Sequence, residues 1–557
     1  MIHLKNIHQL PLFDPWSFLG EKRRKLMDTS WAGLFRDQIL PSLPVEKLFP
    51  YFDKSVGRPT KDLYTVIGVL LFQQAFDLTD MQTVEQLCFN IQWHYALDIT
   101  SQDDKAVYMA ERTLWSYRDL VVQHNLDKII FDMITKKLVD VFGVDTSSQR
   151  LDSIHIKSNM RRLGRIRLFS ETIHAFLGYL KKHDATRFAS VDNSIVERYL
   201  SEDALGCFSR VKPSESRTTL DMLSSDLYQL VMQFEGVSEI TQREEYRLLK
   251  RVLEEQCRVE DNTVTPKAAK EVDSNSLQNP SDPDATYSGH KGQGYQAQVL
   301  ETFSEKKTEA VPNLITDIQV EPAHNHDVHA LIPILEEAAK KNMKPELVLA
   351  DSLYGSDDNT QKAAEMGTEI ISPVMGGCSG GGVLDGFSIS ENGHIASCPQ
   401  GHSPVKTKKR KERYGAAFDN QHCSVCSNKE NCPVRAGKKY HYLHHTDKDI
   451  RISKRRAYEQ SSEFRNRYRF RAGIEATMSE FDRRTGVKRL RVRGLKAVRY
   501  CVTLKAAALN IFRAAVAKAT LIGPQSGYLC LHSYPNRIKQ FVKELFWFFE
   551  HHICYGE

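Results

Sequence analysis

An apolar run, Leu347-Val348-Leu349-Ala350, stops at Asp351 and passes through Ser352 to Gly355, after which Asp357 and Asp358 open a helical pattern. Four apolar residues without alternation read as a strand covered on both faces, which ties this part of the chain to a layered α/β arrangement. Such sheets present ligand sites just beyond the carboxyl ends of their strands, where Asp351 stands. An aspartate there also serves as a plain cap for the next helix or turn. Further strands are expected at 295–300, 314–320, 346–350 and 369–374, with a helix at 328–340, so the sheet has antiparallel and parallel parts.

Upstream, the period switches to alternation at Arg150-Leu151-Asp152-Ser153-Ile154-His155-Ile156, a strand with Asp152 on the face of Ile154 and Ile156. A lone carboxylate is costly on an apolar face, so Asp152 meets either a polar partner or a metal ion. Residues 1–145 read as helical, with helices at 62–76, 81–89 and 112–142. Two architectures suit them, a DNA-binding arrangement or an ordinary helical bundle. A helical segment covers 166–257, heptad-like over 220–234. The Pro/Ser/Asn/Asp-rich stretch 261–294 reads as a linker or mobile loop.

A third carboxylate follows from helical spacing. Tyr468, Arg471 and Glu475 share one face, and Ile474, Met478 and Phe481 form the adjacent apolar stripe. The plainer alternative is an i, i+4 Arg–Glu surface pair.

With 557 residues, 41% hydrophobic and 26% charged, the chain divides into several units with cores of their own. The net charge of +6 says little, but Lys and Arg concentrate at 406–413 and 483–499, where a polyanion would feel them. The second run is otherwise a solvated surface helix. Eleven cysteines, an odd number, fit a reducing cytoplasm. No secretion pattern and no apolar run of about 18 residues is present, so no membrane partner is expected, and 541–549 reads as a packed terminal helix. Cys398, Cys423, Cys426 and Cys432 have tetrahedral zinc spacing, with His402 and His422 as substitute ligands; otherwise they are reduced thiols.

The segments RLDSIHIKSNM, LVLADSLYGSDDN and YRFRAGIEATMSEF resemble the three signature blocks of bacterial insertion-sequence transposases of the DDE class. The stretch SVGRPTKDLYTVIGVLLFQQAF is similar to the N-terminal domain of the five-type and eleven-eighty-two-like elements. The likeness covers most of residues 45 to 515. Where the last block of the class usually has a basic residue seven positions past the glutamate, this chain has Asp482, followed by Arg483 and Arg484.

The resemblance implies a ribonuclease-H-like α/β core with a mixed sheet, in which Asp152, Asp351 and Glu475 converge on two Mg²⁺ or Mn²⁺ ions. It implies a helical DNA-binding domain at 1–145, core strands at 146–165 and 290–375, and a helical insertion with linker at 166–289. A Cys-rich basic insertion with a structural Zn²⁺ would occupy 376–445, the C-terminal core helices 446–520 and a helical tail 521–557. Tyr468, Arg471, Arg483, Arg484, Lys488, Arg489, Arg491 and Arg493 would contact DNA. The implied partners are double-stranded DNA, as terminal inverted repeats and as target, and a second copy of the chain. The implied reaction is metal-dependent end cleavage and strand transfer without ATP, in the cytoplasm at the nucleoid. Two competing readings are a zinc-containing DNA-binding protein or transposase-derived regulator without catalysis, and a nuclease without strand transfer.

Overall fold

The strand that alternates around Asp152, β1 (Ser148–Ile156), lies inside a six-stranded mixed sheet. It pairs antiparallel with β2 (Gly292–Thr302), which pairs antiparallel with β3 (Ile315–Pro322). On its other side β1 runs parallel to β4 (Leu347–Ala350), and β4 runs parallel to β5 (Glu369–Ile371). The order is therefore β3-β2-β1-β4-β5, and a short strand, Thr286–Ser288, also pairs with β2. The computed structural model describes residues 1–557 apart from 8–12, 55, 203–207, 209, 307–309, 376–383 and 523–557. The glycine run at 376–382 and the helix expected at 541–549 lie outside the described residues.

The N-terminal region is helical as its periodicity demands. α1 (Leu63–Ala75) is capped by Asp62, whose side chain accepts from the Thr65 N–H, and almost its whole length is buried. α2 (Asp80–Phe89) begins at a Thr79–Gln82 capping box. The single helix expected at 112–142 is two, α3 (Glu111–Gln123) and α4 (Leu126–Phe142), separated at Asn125, which takes a left-handed conformation with φ 56°. These helices share one apolar core with Ile154, Ile156 and Val299 of the sheet and with the C-terminal helix α13 (Leu495–Ile522). By length and composition α13 could cross a membrane, yet most of its residues are buried among these partners. The opposite sheet face is covered by α8 (Leu331–Lys340), with Leu151 and Val348 against Leu331 and Ile334.

The stretch 166–257 is not one helix. Its main parts are α5 (Arg165–His183), α6 (Ser216–Phe234) and α7 (Glu244–Gln256), packed on a separate core that includes Phe176, Leu227 and Leu249. Residues 261–294 depart from the linker expectation in part: Thr263–Pro266 and Thr286–Ser288 form short strands, and Ser276, Asn279, Asp282 and Thr286 are buried. Asp282 has no exposure. It accepts from the Tyr295 hydroxyl at 2.5 Å and the Gly494 N–H at 2.9 Å, and also from the Ser158 hydroxyl. Turn-forming composition marks the irregular parts between the strands, and there side-chain hydrogen bonds supply order. The basic run at 483–499 is likewise not a surface helix through its middle. Lys157 N–H donates to the Lys488 carbonyl at 2.9 Å and Leu490 N–H to the Lys157 carbonyl at 2.9 Å, so 488–490 runs beside the end of β1.

A carboxylate with no exposure, Glu301 on β2, joins sheet to helices. Arg150 of β1 donates to it through Nε at 2.6 Å, Arg513 of α13 through Nη1 at 2.5 Å, and the Thr477 hydroxyl at 2.6 Å. Burial alone would raise its pKa, but the Arg513 and Arg150 guanidiniums outweigh burial and hold it below the usual glutamate range. Removing Glu301 by alanine substitution leaves both guanidiniums without their shared carboxylate, an expected loss of about 3–5 kcal/mol in unfolding free energy, read from urea denaturation at neutral pH. Because the folded pKa is depressed, this contribution is complete above the unfolded-state value and is lost as pH falls through the folded value. Glu301→Gln should therefore flatten the acid limb of stability against pH; an unchanged limb would contradict the role assigned to this carboxylate.

Candidate active site

β1 and β4 are parallel neighbours with Leu151 opposite Ala350. One step further along each chain stand Asp152 and Asp351, on backbones about 4.8 Å apart. Asp351 accepts from the Leu353 N–H through Oδ1 at 2.8 Å, and its carbonyl from the Tyr354 N–H at 3.3 Å. The turn-capping alternative is thus realised, and it occupies one carboxylate oxygen. α9 (Asp357–Glu365) has its own cap, Ser356. Burial raises the Asp152 carboxyl above its ordinary range; Arg471 opposes this, and the charge of Asp351 adds to it.

The third carboxylate arrives on a broken helix. α11 (Ser462–Tyr468) passes through a 3-10 turn, Arg469–Ala472, into α12 (Gly473–Thr485). Ile474, Met478 and Phe481 are buried on the core side, as their spacing requires, while Glu475 is exposed in the first turn of α12. Arg471 joins it to the sheet, donating through Nη2 to Asp152 at 2.9 Å and through Nη1 to Glu475 at 3.2 Å. The i, i+4 pair anticipated as a surface alternative is therefore one half of a bridge between two of the three carboxylates. Gly473 permits the close approach beneath it: a Cβ there would stand 1.9 Å from Arg150 Nη1, itself bonded to the Phe470 carbonyl at 3.0 Å. Tyr468 stacks on Phe464 and has its pKa raised, by burial first and, against the opposing Arg471, by Asp351 and Asp152.

The remaining basic residues divide. Arg484 pairs with Glu480 at 2.8 Å and Arg491 with Asp77 at 2.6 Å, and Arg493 donates to the Asn159 carbonyl. Arg483, Lys488 and Arg489 are exposed.

Lys291 was not singled out by sequence. Its Nζ donates to the Ser153 hydroxyl at 2.8 Å, lies 3.7 Å from Asp327, and draws the Asp152 pKa downward. Its signal is a cation in the glycine-flanked turn Gly289-His290-Lys291-Gly292. His155, on the same strand as Asp152, is pushed down to about 4, chiefly by burial.

Among the described residues no three Asp, Glu, His or Cys side chains form a ready-made metal-binding group. The donor chemistry nonetheless suits a cation. Asp152 and Asp351 are hard oxygen donors whose neighbouring charges a divalent ion would relieve. Cys398, Cys423, Cys426 and Cys432 line one pocket with His402 and His422, whose rings stack at 4.2 Å. The Cys423 thiol is pushed up by burial and then by the other three cysteines.

Residues 397–515 match the family described as transposase DDE domain, and residues 32–120 the family described as transposase domain DUF772. Together they mark an insertion-sequence transposase of the DDE class. The DDE-domain match contains Glu475, Arg471 and all four cysteines, Cys398, Cys423, Cys426 and Cys432; Asp152 and Asp351 lie upstream of it. No curated protein and no solved structure matches the chain. In the transposase, Arg471 supplies the positive charge between Asp152 and Glu475. Arg471→Gln should lower stability by about 1–3 kcal/mol, and millimolar Mg²⁺ should raise the melting temperature of this variant more than that of the unaltered protein. Equal shifts in the two proteins would rule out cation replacement at this position.

Proposed function

We propose that the transposase binds the terminal inverted repeats of its insertion sequence, cleaves the element ends and joins them to target DNA. The observation that carries this reading is the adjacency of Asp152 and Asp351 on parallel strands, with Glu475 brought to them through Arg471. The order β3-β2-β1-β4-β5, antiparallel on one side of β1 and parallel on the other, supports a ribonuclease-H-like core. Asp152, Asp351 and Glu475 would hold the Mg²⁺ or Mn²⁺ ions, and bound ions would activate the attacking oxygen and stabilise the leaving one. In cleavage, water attacks the phosphorus at the element end and a 3′-hydroxyl leaves. In transfer, that hydroxyl attacks a target phosphodiester and the target's own 3′-oxygen leaves, so one phosphodiester forms as one breaks and no ATP is consumed.

The protein's own groups orient this chemistry. Arg471 and Tyr468 border the carboxylates and would hold the phosphate being attacked. Arg483, Lys488 and Arg489 would grip the flanking backbone, joined on the DNA by Arg484, Arg491 and Arg493 as they exchange internal partners for phosphates. The helices matched at 32–120 would recognise the repeats. Pairing two element ends calls for two copies of the chain. The four cysteines would bind a structural Zn²⁺, stabilising the basic module around them, and Cys423→Ser should lower zinc content to below one ion per chain; unchanged content would remove zinc from the proposal.

The decisive test supplies Mg²⁺ and DNA carrying the element's own terminal repeats, then resolves cleaved and joined products. Asp351→Ala and Asp152→Ala should each abolish both products while repeat binding persists. Products surviving in Asp351→Ala would sink the site. Repeat binding without cleavage by the unaltered protein would favour a DNA-binding regulator, and cleavage without joining a nuclease.

A further inference from the structure

Between the core strands and α10 (Asp447–Glu459) lies a second sheet, made of β6 (Lys406–Arg410), β7 (Arg413–Phe418), β8 (Arg435–Ala436) and β9 (His441–Thr446), in the order β6-β7-β9-β8. Its two faces differ completely. Tyr414, Ala416, Phe418, Leu443 and His445 point inward and are buried, most of them in a small apolar core with Phe387 and Ile395. The register places Lys406 across from Ala417 and Ala417 across from Tyr442, and likewise Lys408, Gly415 and His444 in one row. Cross-strand partners share a face, so the outer face carries Lys406, Lys408, Arg410 and Arg413 at one edge and Tyr442 and His444 at its centre.

We infer that this outer face is a binding platform for single-stranded DNA. The rings of Tyr442 and His444 are exposed, lie within 3° of parallel, and have centroids 6.4 Å apart. They rise over small residues: Gly415 lies under the His444 ring and Gly437 against that of Tyr442. All five residues of β6 are exposed. From 406 to 413 the sequence has six cations and a single carboxylate, Glu412. Exposed planar rings flanked by a row of cations are what successive unpaired bases and their phosphates require: rings stack on bases of any sequence while the cations follow the backbone. Duplex bases keep their faces covered by one another and offer these rings nothing to stack on.

The platform is tied to the segment that follows Asp351. β9 runs directly into α10. From α10, Arg455 donates to the Gly355 carbonyl at 2.8 Å and Arg451 pairs with the buried Asp357 at 2.7 Å, both just past Asp351. The face thus belongs to a unit anchored beside Asp351, within the protein that would release an unpaired strand. This role rests on the strand-cleavage reading above, since cleavage is what frees an unpaired end.

The test uses the full-length protein in buffer without added Mg²⁺ or chelator, with fluorescein-labelled oligothymidylate of about 20 nucleotides and a labelled mixed-sequence duplex of equal length. Tyr442→Ala combined with His444→Ala should weaken single-strand binding at least about fivefold, with duplex binding changed less. Tyr442→Phe alone should bind like the unaltered protein. The Lys408→Ala, Arg410→Ala and Arg413→Ala triple variant should lower the slope of log affinity against log salt by about 2. A circular-dichroism melt confirms folding, which exposed positions should leave intact. Unchanged single-strand binding in the ring variant overturns the platform, as does weakening confined to the duplex. Cleavage of repeat DNA in Mg²⁺ separates the two readings. Cleavage with unaltered single-strand binding in the ring variant removes the platform alone. Weakened binding in that variant, with no cleavage by the unaltered protein, removes the cleavage reading alone.

Discussion

Glu301 is a charge in a place where charges are costly, and the positions of three separate elements follow from how it is neutralised. Arg150 reaches it from β1, Arg513 from α13, and Thr477 from α12. Asp152 lies two residues beyond Arg150, and Glu475 two residues before Thr477. The interaction that satisfies one buried carboxylate thereby sets the separation of two others, half-buried Asp152 and exposed Glu475. A hydrophobic contact would hold the same helix with less directional constraint, whereas charge-assisted hydrogen bonds fix both distance and angle. Arg513 also bonds Glu480, so α12 is held at two points along its length.

Arg471 answers a related problem by different means. Two aspartates side by side at the end of parallel strands repel one another, and burial of Asp152 makes its charge dearer still. A guanidinium shared between Asp152 and Glu475 relieves part of that cost in the free protein. Its planar fork suits two carboxylates at once, which a lysine ammonium would not do with the same geometry. Lys291 approaches the same strand from the other side through Ser153.

Local periodicity made much of this legible. The apolar run before Asp351, the alternation around Asp152 and the stripe Ile474, Met478, Phe481 each became the element and the facing their patterns require. What escaped was set by distant partners. Asp282 turns a polar stretch into packed structure only because Tyr295, Ser158 and Gly494 meet it there. The backbone of 488–490 is drawn straight by hydrogen bonds to Lys157, more than three hundred positions earlier, which no window of sequence contains. Lys291 is one lysine among many until the sheet places it against Ser153. The helix expected through 468–475 is interrupted by a 3-10 turn at Arg469–Ala472, yet the i, i+4 pairing of Arg471 and Glu475 survives the interruption.

The last helix has a bearing on how the molecule comes into being. α13 completes the apolar core that α1 and α4 begin, so the two halves of that core are made several hundred residues apart in synthesis. At about 5–20 residues per second, a ribosome needs roughly 20–90 s to travel from the first of these helices to the last. Throughout that interval the N-terminal helices stand without their principal partner and expose the surface that α13 will later cover. A nascent chain of this kind can close this core only once Leu495–Ile522 has been made. Fragments that stop short of residue 495 retain the helical segments matched at 32–120 but lack the element that closes over them, and chaperones would be their natural company.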